Sequence, residues 1–133
     1  MQGKYERELQ DDVLRANGIF GRRSSGSLVI DVTALYGGKG VIFEVKSSKD
    51  KTVYLSGKRL KEQFEKYGDL KTEYKVPILY AFRWKTRKHI DMIDKWRVFL
   101  YEDIDFTSQD NPILKWDDGM KMDNWIKEFK EVK

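Results

Sequence analysis

The sequence predicts a single α/β domain, a central mixed β-sheet flanked by helices. Three observations carry this. Apolar residues recur at helical spacing over 3–17, 57–67 and 123–132. Between them lie runs rich in β-branched and aromatic residues, of strand length, at 28–35, 41–46, 78–84 and 96–101. The chain has 133 residues, enough for one core and too few to divide into two. The whole of 1–133 is therefore one domain, with a core over about 3–101 and a C-terminal extension over about 102–133.

In chain order, Tyr5, Leu9, Val13 and Ala16 form the stripe of the first helix, and Gly18 suits its C-terminal cap. Residues 21–27, Gly-Arg-Arg-Ser-Ser-Gly-Ser, read as a small, basic, polar loop. The strands 28–35 and 41–46 are joined by the glycine-rich turn Tyr36–Gly40. In the second helix Leu60, Phe64 and Tyr67 share a face, with Ser56 as N-cap and Gly68 following it. Two strands then flank the charged stretch Lys85–Lys95. The last helix carries Trp125, Ile126, Phe129 and Val132. The order helix, strand, strand, helix, strand, strand, helix gives a domain built round one sheet.

Composition excludes several classes of function. There is no cysteine, so disulfide scaffolds, thiolate metal sites and cysteine nucleophiles are out. The one histidine, His89, rules out histidine-rich metal sites. No apolar run approaches the ~18 residues of a membrane span, and the charged start has no apolar signal segment, so a cytoplasmic protein is expected. The net charge of +4 is modest, but its placement is uneven. Residues 1–66 hold thirteen Lys and Arg against nine Asp and Glu, whereas 67–133 hold thirteen of each.

That basic half contains the candidate site. Glu44 and Lys46 are two apart on a strand and share a face with Ile42, while Phe43 and Val45 point the other way. A hairpin through the glycine-rich turn brings Asp31 beside Glu44. Two carboxylates and an ammonium on a sheet surface suit phosphodiester hydrolysis, which needs an activated water and charge stabilisation at phosphorus. Mg²⁺ supplies both and accepts one or two carboxylates plus waters. Asp31 and Glu44 would hold it, the Val45 carbonyl could add a ligand, and Lys46 would orient the water or neutralise phosphate charge. Glu-x-Lys also occurs at Glu73, Glu128 and Glu131, but only the Glu44 copy lies in a strand pair joined by a turn. A solvated strand face or a structural ion pair is the competing reading. Glu6 borders the stripe of the first helix, facing either the sheet or solvent. Arg22 and Arg23 open a Ser/Gly-rich loop suited to phosphate contact.

These residues resemble those of the archaeal-type Holliday junction resolvases, in the PD-(D/E)XK nuclease superfamily. The resemblance runs through Gly3-Lys4-Tyr5-Glu6-Arg7-Glu8-Leu9, then Gly18 to Ser27, Asp31, Glu44-Val45-Lys46 and Val53-Tyr54-Leu55, and more loosely Lys95-Trp96-Arg97-Val98-Phe99. It implies a restriction-endonuclease-like fold and a Mg²⁺-dependent endonuclease (Mn²⁺ able to substitute), without organic cofactor or membrane partner. The enzyme would be a homodimer nicking opposing strands of four-way junction DNA. Glu6, Asp31 and Glu44 would be metal-associated acids, Lys46 the catalytic lysine, and Arg23 a catalytic arginine supporting the site or contacting phosphate. Lys4, Arg22, Ser24, Ser25, Ser27, Lys49, Lys51, Lys58 and Arg59 would line the DNA path. Part of the dimer interface is expected from Leu60, Phe64 and Tyr67, unless that stripe faces the core. The sequence departs from the family pattern at Ile30, where proline is common, and in a long Thr86–Asp94 stretch. Another nuclease on this fold, cutting flap, nicked or duplex DNA, and a non-catalytic DNA-binding module are the alternatives. Archaeal, bacteriophage and viral origins all suit an intracellular, nucleoid-associated enzyme of this kind.

Overall fold

The computed structural model describes residues 3–24, 30–104 and 112–131. The first helix, α1, spans 4–17 as its spacing predicts, but changes pitch twice. It is an α-helix over Lys4–Arg7, a π-helix over Glu8–Leu14 and a 3-10 turn over Arg15–Asn17. The wider π winding turns Glu8, Leu9, Val13 and Leu14 inward, so Leu14 rather than the exposed Ala16 completes the buried stripe. Gly18 ends the helix in the left-handed conformation (φ 79°), and the N–H of Ile19 donates to the Leu14 carbonyl at 3.0 Å.

The chain then enters β1 (Phe20–Arg23), where the composition suggested a loop. A glycine at 21 explains the difference: a Cβ there would stand 2.9 Å from Leu14 Cδ1, so only a bare backbone lets α1 lie against this strand. The hairpin strands follow as β2 (Val32–Tyr36) and β3 (Lys39–Ser48), and a short strand β4 (Thr52–Tyr54) leads to α2 (Lys58–Tyr74). Next come β5 (Ile78–Trp84), β6 (Trp96–Leu100), β7 (Ile113–Lys115), β8 (Met120–Lys121) and α3 (Met122–Glu131).

Two expectations for α2 are corrected. Gly57, not Ser56, occupies its N-cap. The helix also runs past Gly68, whose role is clearance: a Cβ there would lie 2.7 Å from the Tyr101 hydroxyl, which donates to the Phe64 carbonyl at 2.8 Å.

Among the described residues the main sheet has the order β1-β2-β3-β5-β6-β8, and β4 pairs with β7 separately. Only β3 and β5 run parallel, joined by the α2 crossover. Alternation along β3 gives the sheet two chemically distinct faces. Val41, Phe43 and Val45 meet Leu9, Val13 and Leu14 of α1 and Met122, Trp125 and Ile126 of α3 in the largest core cluster. Phe43 meets the edge of Trp125 at 5.0 Å. On the other face Ile42 packs with Tyr67 and Ile78, while Tyr80 and Phe82 pack with Leu55, Leu114 and Trp116. The C-terminal residues are thus part of the sheet and of both cores.

Phe64 and Tyr67 are spent on this packing. Phe64 stacks on Tyr101 at 4.2 Å between ring centres, and Tyr67 is fully buried. Their stripe faces its own sheet, which removes Tyr67 from the expected dimer surface.

One buried ion pair fastens α1 to the sheet. Arg83 Nε donates to Glu8 Oε1 at 2.7 Å, and Trp96 Nε1 donates to the same oxygen at 2.9 Å. Removing one partner of a buried pair leaves the other charge uncompensated, typically at about 3–5 kcal/mol. Glu8→Leu should therefore lower stability to urea by about that amount, and adding Arg83→Met should recover a large part of it.

Candidate active site

The site forms where β2 and β3 meet beyond the regular ladder. Val32 lies opposite Phe43 and Thr33 opposite Ile42, so one further residue sets Asp31 across from Glu44. Ile42 N–H donates to the Pro77 carbonyl at 3.0 Å, so backbone groups of 42, 44 and 46 point toward β5. Those of 43 and 45 point toward β2. Accordingly the Val45 N–H donates to Asp31 Oδ2 at 2.8 Å. The Val45 carbonyl projects from the same edge, since a strand residue presents both its backbone groups to one neighbour.

Glu44 is 2% exposed in the middle of the central strand. Tyr67 Oη donates to its Oε1 at 2.7 Å, and Lys46 Nζ lies 3.1 Å from its Oε2. Lys46 also donates to Gln63 Oε1 at 3.3 Å. Burial, hydrogen bonding toward Glu44 and the Glu44 charge push the Asp31 carboxyl up to about 8 from the ordinary 3.8, against the opposing pull of the Val45 amide and the Lys46 ammonium. Burial and Glu44 also raise Tyr67, which keeps its phenol a neutral donor.

Asp31, Glu44, Lys46 and the backbone of Val45 thus come together as the sequence predicts. Glu6 does not join them: among the described residues no three acidic or histidine side chains converge on one metal position. The reason is topological. Glu6 sits on α1, which covers the Phe43 face, whereas Glu44 and Lys46 project from the opposite one. Arg23 pairs with Val32 on that α1 side, its guanidinium against the backbone of Gly3 at the start of the helix. Arg22 is exposed on β1, and the Ser24 N–H donates to the Asp31 carbonyl at 2.9 Å. Ser25 and Ser27 lie outside the described residues.

Of the expected DNA contacts, Lys4 and Lys49 line a concavity with Tyr5, Trp84, Lys85 and Arg87. It opens at the ends of β3 and β5, where Ser48 pairs with Trp84, two residues beyond Lys46. Lys51 is engaged elsewhere, 3.3 Å from Asp117 and over the rings of Trp84 and Trp116. Lys58 and Arg59 are exposed at the start of α2, with Lys58 3.9 Å from Glu62. Lys85 and Arg87 escape a reading by charge because their half of the chain is neutral overall. Gln63 and Tyr67 escape it because a helical Gln and Tyr at core spacing carry no chemical signature.

Strands of mixed direction, helices on the sheet and a carboxylate pair with a lysine at the end of a hairpin define the restriction-endonuclease-like class of nuclease folds. The fold is similar to a solved structure from Archaeoglobus fulgidus, described as Hjc, a Holliday junction resolvase from an archaeal hyperthermophile. The TM-score is 0.71 at 20% identity, covering 98% of this chain and 97% of that one. The model of the archaeal Holliday junction resolvase family, Hjc, matches residues 2–133, and the chain belongs to that family. No curated protein matches it.

The elevated Asp31 carboxyl has a consequence for stability without metal. Between pH 4 and 8 the folded chain holds a proton on Asp31 that the unfolded chain has lost, so this group's contribution falls as pH rises. In chelator, the melting temperature should decline across that window. Asp31→Asn should flatten the decline and raise melting at pH 8; calorimetry of both proteins checks this.

Proposed function

We propose that the protein is a Mg²⁺-dependent endonuclease that cuts four-way DNA junctions, acting as a homodimer at two symmetric phosphodiesters. The observation that carries this is the half-buried Asp31 beside the buried Glu44, with Lys46 bridged to Glu44, in a chain of the resolvase family. The donor set fits a hard divalent cation. Burial and the neighbouring Glu44 charge push the Asp31 carboxyl up, a strain that a cation would relieve, and Asp31, Glu44 and the Val45 carbonyl all offer oxygen. Asp31 and Glu44 would hold the ion, with the Val45 carbonyl facing the same edge; Mn²⁺ offers the same oxygen chemistry. When bound, the metal supplies Lewis acidity at the phosphate and lowers the pKa of a bound water.

The rest of the work falls to the chain. The ammonium of Lys46, beside the carboxylates, holds the attacking water or a phosphate oxygen and offsets the charge that builds up at phosphorus. Arg22, exposed on the strand leading to Asp31, gives guanidinium contacts to flanking phosphates, while Arg23 supports the strand from the α1 side. The concavity of Lys4, Lys49, Lys85 and Arg87 continues the path beyond Lys46, reading backbone and shape instead of base edges. A four-way junction has approximate two-fold symmetry, so paired incisions call for two sites at a fixed separation, which an isologous dimer provides. Among the described residues no helix is long and apolar enough to cross a membrane, in keeping with an intracellular enzyme that works on DNA.

Cleavage of a labelled four-way junction beside a matched linear duplex tests the function. Paired, symmetric nicks in the junction are expected in Mg²⁺, lost by roughly a thousand-fold or more in Asp31→Asn while junction binding is kept. Equal cutting of the duplex would instead favour a general nuclease on the same fold. In binding titrations, Lys85→Ala with Arg87→Ala should reduce the salt slope by about one per lost phosphate contact.

A further inference from the structure

The second helix carries two polar side chains that the fold does not require. Gln63 and Tyr67 are four residues apart on α2, hence one above the other on the same face. Both point at the strand-borne groups of the site. Tyr67 Oη donates to Glu44 Oε1 at 2.7 Å, and Gln63 Oε1 accepts from Lys46 Nζ at 3.3 Å. Glu44 Oε2 and Lys46 complete a loop of contacts at 3.1 Å. The packing round Tyr67 is apolar, with Ile42, Ile78 and the edge of the Tyr80 ring at 6.2 Å between centres. A phenylalanine would fill this space equally well. A buried hydroxyl is costly unless it is hydrogen-bonded, so its presence here is tied to Glu44.

We propose that Gln63 and Tyr67 are positioning residues for this reaction. Through them α2 fixes the Glu44 carboxylate and the Lys46 ammonium in their working orientation. The proposal rests on the reading of Glu44 and Lys46 as reacting groups. Its content is a division of valences. The two oxygens of Glu44 take separate donors, one neutral and one charged, so the carboxylate plane cannot turn about its terminal bond without losing one of them. An ammonium has three N–H groups. Glu44 and Gln63 engage two, and the geometry leaves the third for a water or a phosphate oxygen. Tyr67 orients Glu44 without adding charge, so the net negative charge of the carboxylate pair stays available to a cation.

The test uses Tyr67→Phe, Gln63→Met and Gln63→Glu, the last keeping an acceptor oxygen for Lys46. Three readouts are taken well below the melting transition: single-turnover junction cleavage, junction binding without divalent metal, and Mn²⁺ binding without DNA by electron paramagnetic resonance. Partners that orient a metal-site residue are typically worth about 10- to 100-fold. Tyr67→Phe should slow cleavage by about that factor and weaken Mn²⁺ binding, with junction binding unchanged. Gln63→Met should slow cleavage with little effect on Mn²⁺, and Gln63→Glu should restore most of the rate. Should Tyr67→Phe only lower the melting temperature, leaving rate and Mn²⁺ affinity at the starting values, its role is structural and the proposal fails. The assignment of the site fails separately, and recognisably, if Asp31→Asn cleaves as fast as the unaltered protein.

Discussion

A carboxylate buried in the middle of the central strand is the constraint round which this molecule is arranged. Glu44 has almost no contact with solvent, yet β3 is covered on both faces and cannot move aside. Leaving such a group unpaired would cost more than a small domain can spare. Its neighbours answer that demand in turn: Lys46 from its own strand, Asp31 from the hairpin partner, Tyr67 from the crossover helix. The sheet pairing that sets Asp31 opposite Glu44 also puts two acids where neither fully relieves the other. That residual imbalance is what the proposed cation would relieve.

The opposite face solves a similar problem with a different outcome. Glu8 on α1 is also buried, but Arg83 meets it with two nitrogens and Trp96 adds a third donor. That carboxylate is fully satisfied and serves to hold the helix. Both carboxylates are partnered; the difference is that a second carboxyl, Asp31, stands beside Glu44, whereas the groups meeting Glu8 are donors.

Much of this was legible in the sequence. Alternation along 41–46 assigned Glu44 and Lys46 to one face and Phe43 and Val45 to the other, as observed, because strand geometry leaves no freedom there. Asp31 followed from the turn. What was hidden depended on long-range packing. The π winding of α1 shifts its stripe from Ala16 to Leu14, which no 3.6-residue pattern reveals. Gly68 looks like a helix terminator until Tyr101 is seen lying over it. Glu6 fits the family pattern in one dimension, but the side of the sheet on which α1 docks is decided by the whole core. Tyr67 was read as apolar filling for either core or interface; its hydroxyl acquires meaning only once its depth beside Glu44 is known.

The parallel pairing of β3 with β5 has a further consequence, for the order in which the cluster is assembled. The hairpin of β2 and β3 closes over a few residues, whereas β3 and β5 pair only after the 29 intervening residues have crossed the sheet. A nascent or partly unfolded chain can therefore assemble Asp31, Glu44 and Lys46 on an isolated hairpin, in water and free to rotate. Desolvation and alignment of the cluster arrive with the crossover, which depends on longer-range contacts than the hairpin. The same crossover brings Tyr67 and Gln63 of α2 onto Glu44 and Lys46, so fraying of α2 would loosen that cluster before the sheet itself is lost.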